Sequence, residues 1–111
     1  MVSSIKVETL AQRLATETKP LQLIDVREPD EVEIAAIDGF INLPMSQAHE
    51  WITEIEEQFD PTADTIVLCH HGIRSAYACH WLESRGFSQV FNVSGGIDAY
   101  AIVVDRSVPR Y

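Results

Sequence analysis

Thr65-Ile66-Val67-Leu68-Cys69-His70-His71-Gly72-Ile73-Arg74-Ser75 is the stretch that decides how this 111-residue chain is read. Thr65 to Cys69 is almost continuously apolar and β-branched, with no polar alternation. That pattern belongs to a central strand covered on both faces. A short polar loop with one glycine follows, His70 to Arg74. From Ser75 the pattern turns helical, with Ala78 and Leu82 one turn apart, until Gly86 supplies a C-terminal stop. The loop therefore leaves the carboxyl end of a buried strand and enters a helix. In open α/β sheets that is where ligands bind and chemistry occurs.

Working outward, the flanking segments repeat the same grammar. Ile5 to Val7 reads as a first strand. Leu10, Ala11, Leu14 and Ala15 then recur at helical spacing, with Thr9 and Gln12 as a capping box and Lys19-Pro20 as the stop. Leu21 to Val26 is a second strand. A short helix opens near Asp30 beside Pro29, and Phe40 to Leu43 is a brief strand ended by Pro44. Ser46 is placed to cap a helix carrying Trp51, Ile52, Ile55 and Phe59 on one stripe, ended by Asp60-Pro61. Gln89 to Val93 is the last strand, and Ser94-Gly95-Gly96 turns into a helix from about Ile97 to Val104. Strands alternating with helices predict an α/β fold: a central, mainly parallel five-stranded sheet flanked by helices on both faces.

The length allows one domain, residues 1–111, and the 46% hydrophobic content is enough for a core. Eight basic residues against seventeen acidic ones give a formal charge of −9. That balance argues against nucleic acid and anionic membranes as partners. The acidic runs Glu28 to Glu33 and Glu50 to Asp60 read as solvated helix faces. No early apolar segment follows a basic start, and no apolar run approaches the ~20 residues that span a bilayer. A soluble, cytoplasmic protein with both thiols reduced is expected.

The loop has the makings of an anion cradle. Successive backbone N–H groups point inward, Gly72 permits a positive φ, and the helix start adds partial positive charge. A thiolate at the centre is stabilised, which is the condition for a reactive cysteine at neutral pH. Arg74 can strengthen the field or clamp a substrate's anionic tail. His70 and His71 add charge if protonated. The competing reading is a buried, inert cysteine closing a strand, but an inert strand end needs none of Gly72, Arg74 and Ser75. Asp25 and Arg27 at the end of the second strand read as a structural ion pair supporting the neighbouring loop rather than as an acid and a clamp. Cys79 reads as a core residue rather than a resolving thiol. His70, His71, His80 and the cysteines match no usual zinc spacing, so no metal is expected.

Taken together, these residues resemble a known family. Cys69-x-x-Gly72-x-Arg74-Ser75 after an apolar strand is similar to the active loop of small, single-domain rhodanese-type sulfurtransferases. Asp25-Val26-Arg27-Glu28 resembles the family's Asp-Val-Arg segment. Gly39-Phe40-Ile41-Asn42-Leu43-Pro44 resembles its Gly-Ala-x-Asn-Ile-Pro stretch. Gly86-Phe87, Val90 and Gly95-Gly96-Ile97-Asp98-Ala99-Tyr100 resemble its ending. The likeness runs from about residue 4 to 104, in order; the tail 105–111 carries no chemical motif. Ala35-Ala36-Ile37 stands where the family has Gly-His-Ile before Gly39, and Tyr100 stands for its tryptophan.

The resemblance implies a rhodanese-like fold and a double displacement. Cys69 would take the outer sulfur of a small anion such as thiosulfate as a persulfide and pass it to a cellular thiol or protein. The loop His70, His71, Gly72, Ile73, Arg74 and Ser75 would cradle the anion, with no cofactor. With no second domain to narrow the pocket, the site is expected to be shallow. Phosphatases and arsenate reductases of similar scaffold carry five residues between cysteine and arginine. Here there are four, His70 to Ile73, a smaller ring that favours a single sulfur atom. A non-catalytic or protein-relay binding module of the same fold is the alternative from another class.

Overall fold

The computed structural model describes residues 2–111. Five strands form one sheet: β1 (Val2–Ile5), β2 (Gln22–Asp25), β3 (Ile41–Asn42), β4 (Thr65–Leu68) and β5 (Val90–Val93), in the order β1-β5-β4-β2-β3. Every pairing between them is parallel, as the alternation of strands and helices predicts. The helices are α1 (Val7–Thr16), α2 (Pro29–Ile34), α3 (Ala48–Trp51), α4 (Ile55–Gln58), α5 (Ile73–Ser84) and α6 (Gly96–Val103).

The central position of β4 explains its composition. All four of its residues are buried, and successive side chains point to opposite faces. Ile66 and Leu68 enter a layer with Val7 and Leu10 of α1 and Ile97 of α6. Val67 and the following Cys69 enter the other layer, with Ile55 of α4 and Ala78, Cys79 and Leu82 of α5. Cys69 is thereby anchored at its base by the core. Cys79 sits wholly inside the same layer, and burial pushes its thiol up to about 12. It is a core residue.

The structure corrects the reading at three places. The first strand is Val2–Ile5 rather than Ile5 to Val7, because Lys6 is the extended residue before α1 and Val7 opens that helix facing the core. Thr9 and Gln12 consequently lie inside α1, and no side chain caps it. The helix expected from Ser46 is broken into a 3-10 turn (Met45–Gln47), α3, a second 3-10 turn (Ile52–Glu54) and α4. Two contacts accompany the breaks. The Trp51 indole N–H donates to the Pro44 carbonyl at 2.8 Å, and the Ser46 hydroxyl donates to the Glu28 carboxylate instead of capping. Ile55 and Phe59 still reach the core. Where the chain departs from the usual family residues, Ala35 and Ile37 are buried and Tyr100 packs half-buried against the α1/α6 layer.

Candidate functional site: the Cys69 cradle

The floor beside the loop is a buried ion pair. Arg27 has no exposed surface, and Asp25 shows only 2% of its own. The guanidinium grips the Asp25 carboxylate with two nitrogens, Nε at 3.0 Å and Nη2 at 2.7 Å. Its remaining donors reach the Ala35 carbonyl at 2.8 Å, the Glu31 carbonyl at 3.3 Å and the Tyr111 hydroxyl at 2.9 Å. The pair thus ties the ends of β2 and α2 to the chain's last residues. None of its hydrogen bonds among the described residues reaches the sulfur.

The cradle itself is closed by backbone and by two side chains. The Gly72 N–H donates to Cys69 Sγ at 3.0 Å, and the Ser75 hydroxyl lies 3.2 Å from the same sulfur. Gly72 adopts φ +99°, immediately before α5, which turns its N–H inward. Asn92 of β5 locks this arrangement: its Nδ2 donates to the Gly72 carbonyl at 3.0 Å, and its Oδ1 accepts from the Ser75 hydroxyl. From behind, the start of α6 holds the loop by its carbonyls. Ile97 N–H donates to Cys69 O at 2.9 Å and Asp98 N–H to His70 O at 3.1 Å. Gly96 permits that close approach, since a Cβ there would sit 2.5 Å from Cys69 O and closer still to His70 O.

The rim differs from expectation. Arg74 is paired with a carboxylate: its two Nη atoms bind the two Glu31 oxygens at 2.8 Å each. A planar fork facing a carboxylate is the strongest such geometry. Glu31 and Glu28 are therefore not part of a merely solvated face. Glu31 also accepts from the Glu28 N–H at 2.9 Å and from the Tyr111 hydroxyl at 3.0 Å. Its bonds to Arg74 are the main reason its pKa falls to about 2 from an ordinary 4.5.

A carboxylate depressed by folding stabilises the native state above its unfolded pKa, and that stability is lost as pH falls through the folded value. Thermal melts between neutral pH and pH 2 are expected to show this loss setting in below about 4.5. Glu31→Gln removes that component of the pH dependence. An identical pH profile in the variant would refute the linkage.

Two histidines complete the rim. The His70 ring stacks on His71 and on Tyr111, with centroids 3.9 Å apart in each case. Burial, and then the neighbouring His71, push the His70 pKa down and favour the neutral ring. Its Nε2 is buried without a partner; an unsatisfied group of this kind costs roughly 1–3 kcal/mol. His71 lies 3.8 Å from Asp98, which Arg110 also binds at 2.9 Å. His70, His71 and Asp98 bring ligand atoms within 4.8 Å of one another, a grouping that sequence spacing did not anticipate. Ile73 is exposed beside the loop, and His80 lies on the outer face of α5 near Glu83.

Asn92, Gly96, Glu31 and Tyr111 thus join the residues singled out from the sequence. Of these, only Gly96 had a local signal, the Gly95-Gly96 turn. Cys69 exposes 1% of its surface, so the reacting sulfur is buried at the centre of the loop.

Comparison with known proteins agrees with this architecture. Residues 6–102 match the model of the rhodanese-like domain family. A sulfurtransferase of Allochromatium vinosum is 37% identical over 101 residues, covering 91% of this chain and 90% of that protein. The rhodanese-like/PpiC domain-containing protein 12, chloroplastic, of Arabidopsis thaliana is 44% identical over 112 residues, 99% of this chain; the match spans 38% of that longer protein. The crystal structure of a rhodanese-like domain protein from Staphylococcus aureus superposes with a TM-score of 0.78 at 28% identity, covering 98% of both chains.

Proposed function

Because the chain belongs to the rhodanese-like domain family, we propose that it is a sulfurtransferase that carries a sulfane sulfur on Cys69. The Cys69 thiolate attacks the outer sulfur of a donor such as thiosulfate; the S–S bond breaks, sulfite leaves, and a persulfide remains. An acceptor nucleophile then takes the terminal sulfur and returns the thiolate. The acceptor is cyanide in an assay and a cellular thiol or protein in the cytoplasm. This is covalent catalysis with two half-reactions, so ping-pong kinetics follow.

One observation carries the reading: the Gly72 N–H aimed at Cys69 Sγ from 3.0 Å at the mouth of α5. The same donor serves the persulfide's anionic sulfur. Ser75 and Asn92 position the loop, and Asp25 and Arg27 support its floor from beneath. His70, His71, Gly72 and Ile73, the four residues before Arg74, make a ring suited to one sulfur rather than a tetrahedral oxyanion. A charge of −9 supports small molecules and proteins over nucleic acid or membrane as partners, and no helix among the described residues is long and apolar enough to cross a membrane. The half-reactions call for no metal or organic cofactor.

Intact mass after brief thiosulfate exposure is the direct test. A gain of about 32 Da on one thiolate, lost on adding cyanide and absent from Cys69→Ser, is expected. No gain in the parent chain would refute the reading, and partner binding that survives Cys69→Ser without any loading would mark a binding module.

A further inference from the structure

Tyr111 lies at the far end of a tail that the sequence left without a role, yet it sits on the cradle's rim. Three points hold it there. Val108 packs against the α1/α6 layer, Arg110 binds Asp98 at 2.9 Å, and the Tyr111 hydroxyl bridges Arg27 and Glu31 at 2.9 and 3.0 Å. The ring lies nearly parallel to His70, 8° between planes. The Gly72 N–H and the Ser75 hydroxyl lie 3.0 and 3.2 Å from the sulfur, and α6 holds the Cys69 and His70 carbonyls. His70 and the Arg74–Glu31 pair stand beside them. Tyr111 touches His70 and Glu31 together, and Cys69, the residue before His70, is 1% exposed.

We propose that Tyr111 is a specificity-determining gate: seated on His70 and Glu31, its ring narrows the approach to Cys69 so that small reagents enter and bulky ones wait for the ring to leave. Two features fit a ring that opens. The seated state leaves His70 Nε2 buried without a partner, and displacement would expose that nitrogen to water or to a donor's anionic group. The Arg110–Asp98 and Val108 contacts hold the preceding tail, so the ring can swing without the tail detaching. Tyr111 itself is 38% exposed. An acceptor protein that offers a thiol would then have to displace Tyr111, whereas a small anion would not.

This inference rests on Cys69 being the reacting atom but not on sulfur transfer, and its test separates the two. Rate constants for alkylation of Cys69 in the full chain are measured with iodoacetamide and with N-phenylmaleimide, the label being located by peptide mass. The ratio of the two rates cancels the thiolate population and reads access alone. In Tyr111→Ala the phenylmaleimide rate is expected to rise about tenfold relative to iodoacetamide, as for a site that is open to the larger reagent in about a tenth of parent molecules. Tyr111→Phe keeps the ring but loses both hydroxyl bonds, and about a threefold rise in the ratio is expected. A ratio within about twofold of the parent in folded Tyr111→Ala overturns the gate. If that variant does not fold, an unchanged ratio in Tyr111→Phe overturns it instead.

Discussion

Asp25→Ala is expected to lower the free energy of unfolding by about 3–5 kcal/mol, because it leaves a buried guanidinium without its counter-charge. Arg27 has no route to solvent in the native state: its surface is fully covered, and its other donors are fixed on Ala35, Glu31 and Tyr111. A replacement that removes both charges, Asp25→Ala with Arg27→Met, is expected to recover part of the loss, since an uncharged pair of similar bulk avoids the stranded ion. Urea unfolding followed by circular dichroism measures both variants. A shift below about 1 kcal/mol for Asp25→Ala would mean that water reaches Arg27 and that the pair is not the floor described above.

Gly96→Ala is expected to be of comparable severity, about 2–5 kcal/mol, from two separable causes. The residue sits at φ +61°, where a Cβ costs roughly 1–2 kcal/mol. The added methyl also meets the carbonyls of Cys69 and His70, and overpacking of this kind costs roughly 1–3 kcal/mol. Those carbonyls cannot easily retreat, since Ile97 and Asp98 N–H groups hold them. Gly86→Ala is the natural comparison: φ is +94°, but nothing lies within 4 Å of its Cβ position. Thermal melts of the two variants separate backbone strain from collision. Equal losses would show that the approach of α6 to the loop is unimportant. If Gly96→Ala still folds, sulfur loading at Cys69 is expected to fall with it, because the collision displaces the cradle.

How far the sequence could be read follows from the range of the forces involved. β4 was legible because a strand buried on both faces must be apolar throughout, and the Cys69–Ser75 loop was legible because its residue types and spacing are local. The first strand was misplaced because Val7 looks like a strand residue until Lys6 is known to be the extended N-cap of α1. The helix expected at Ser46 failed for a similar reason: its cap was drawn away by Glu28, a residue well upstream. The rim was the least readable part. Arg74 with Glu31, Asn92 with Gly72, and Tyr111 with His70 are contacts between distant segments, and nothing in the composition of either segment announces the other.

The strand order has a consequence for how the chain is made. β1 pairs only with β5, Val2 lying opposite Val90, and β5 also completes the other side of β4. During synthesis the first strand must therefore wait for the last before it can pair. Such non-local parallel pairing closes late and slowly, and until it does the nascent polypeptide carries an unpaired ribbon on which chaperones, or neighbouring copies, can act.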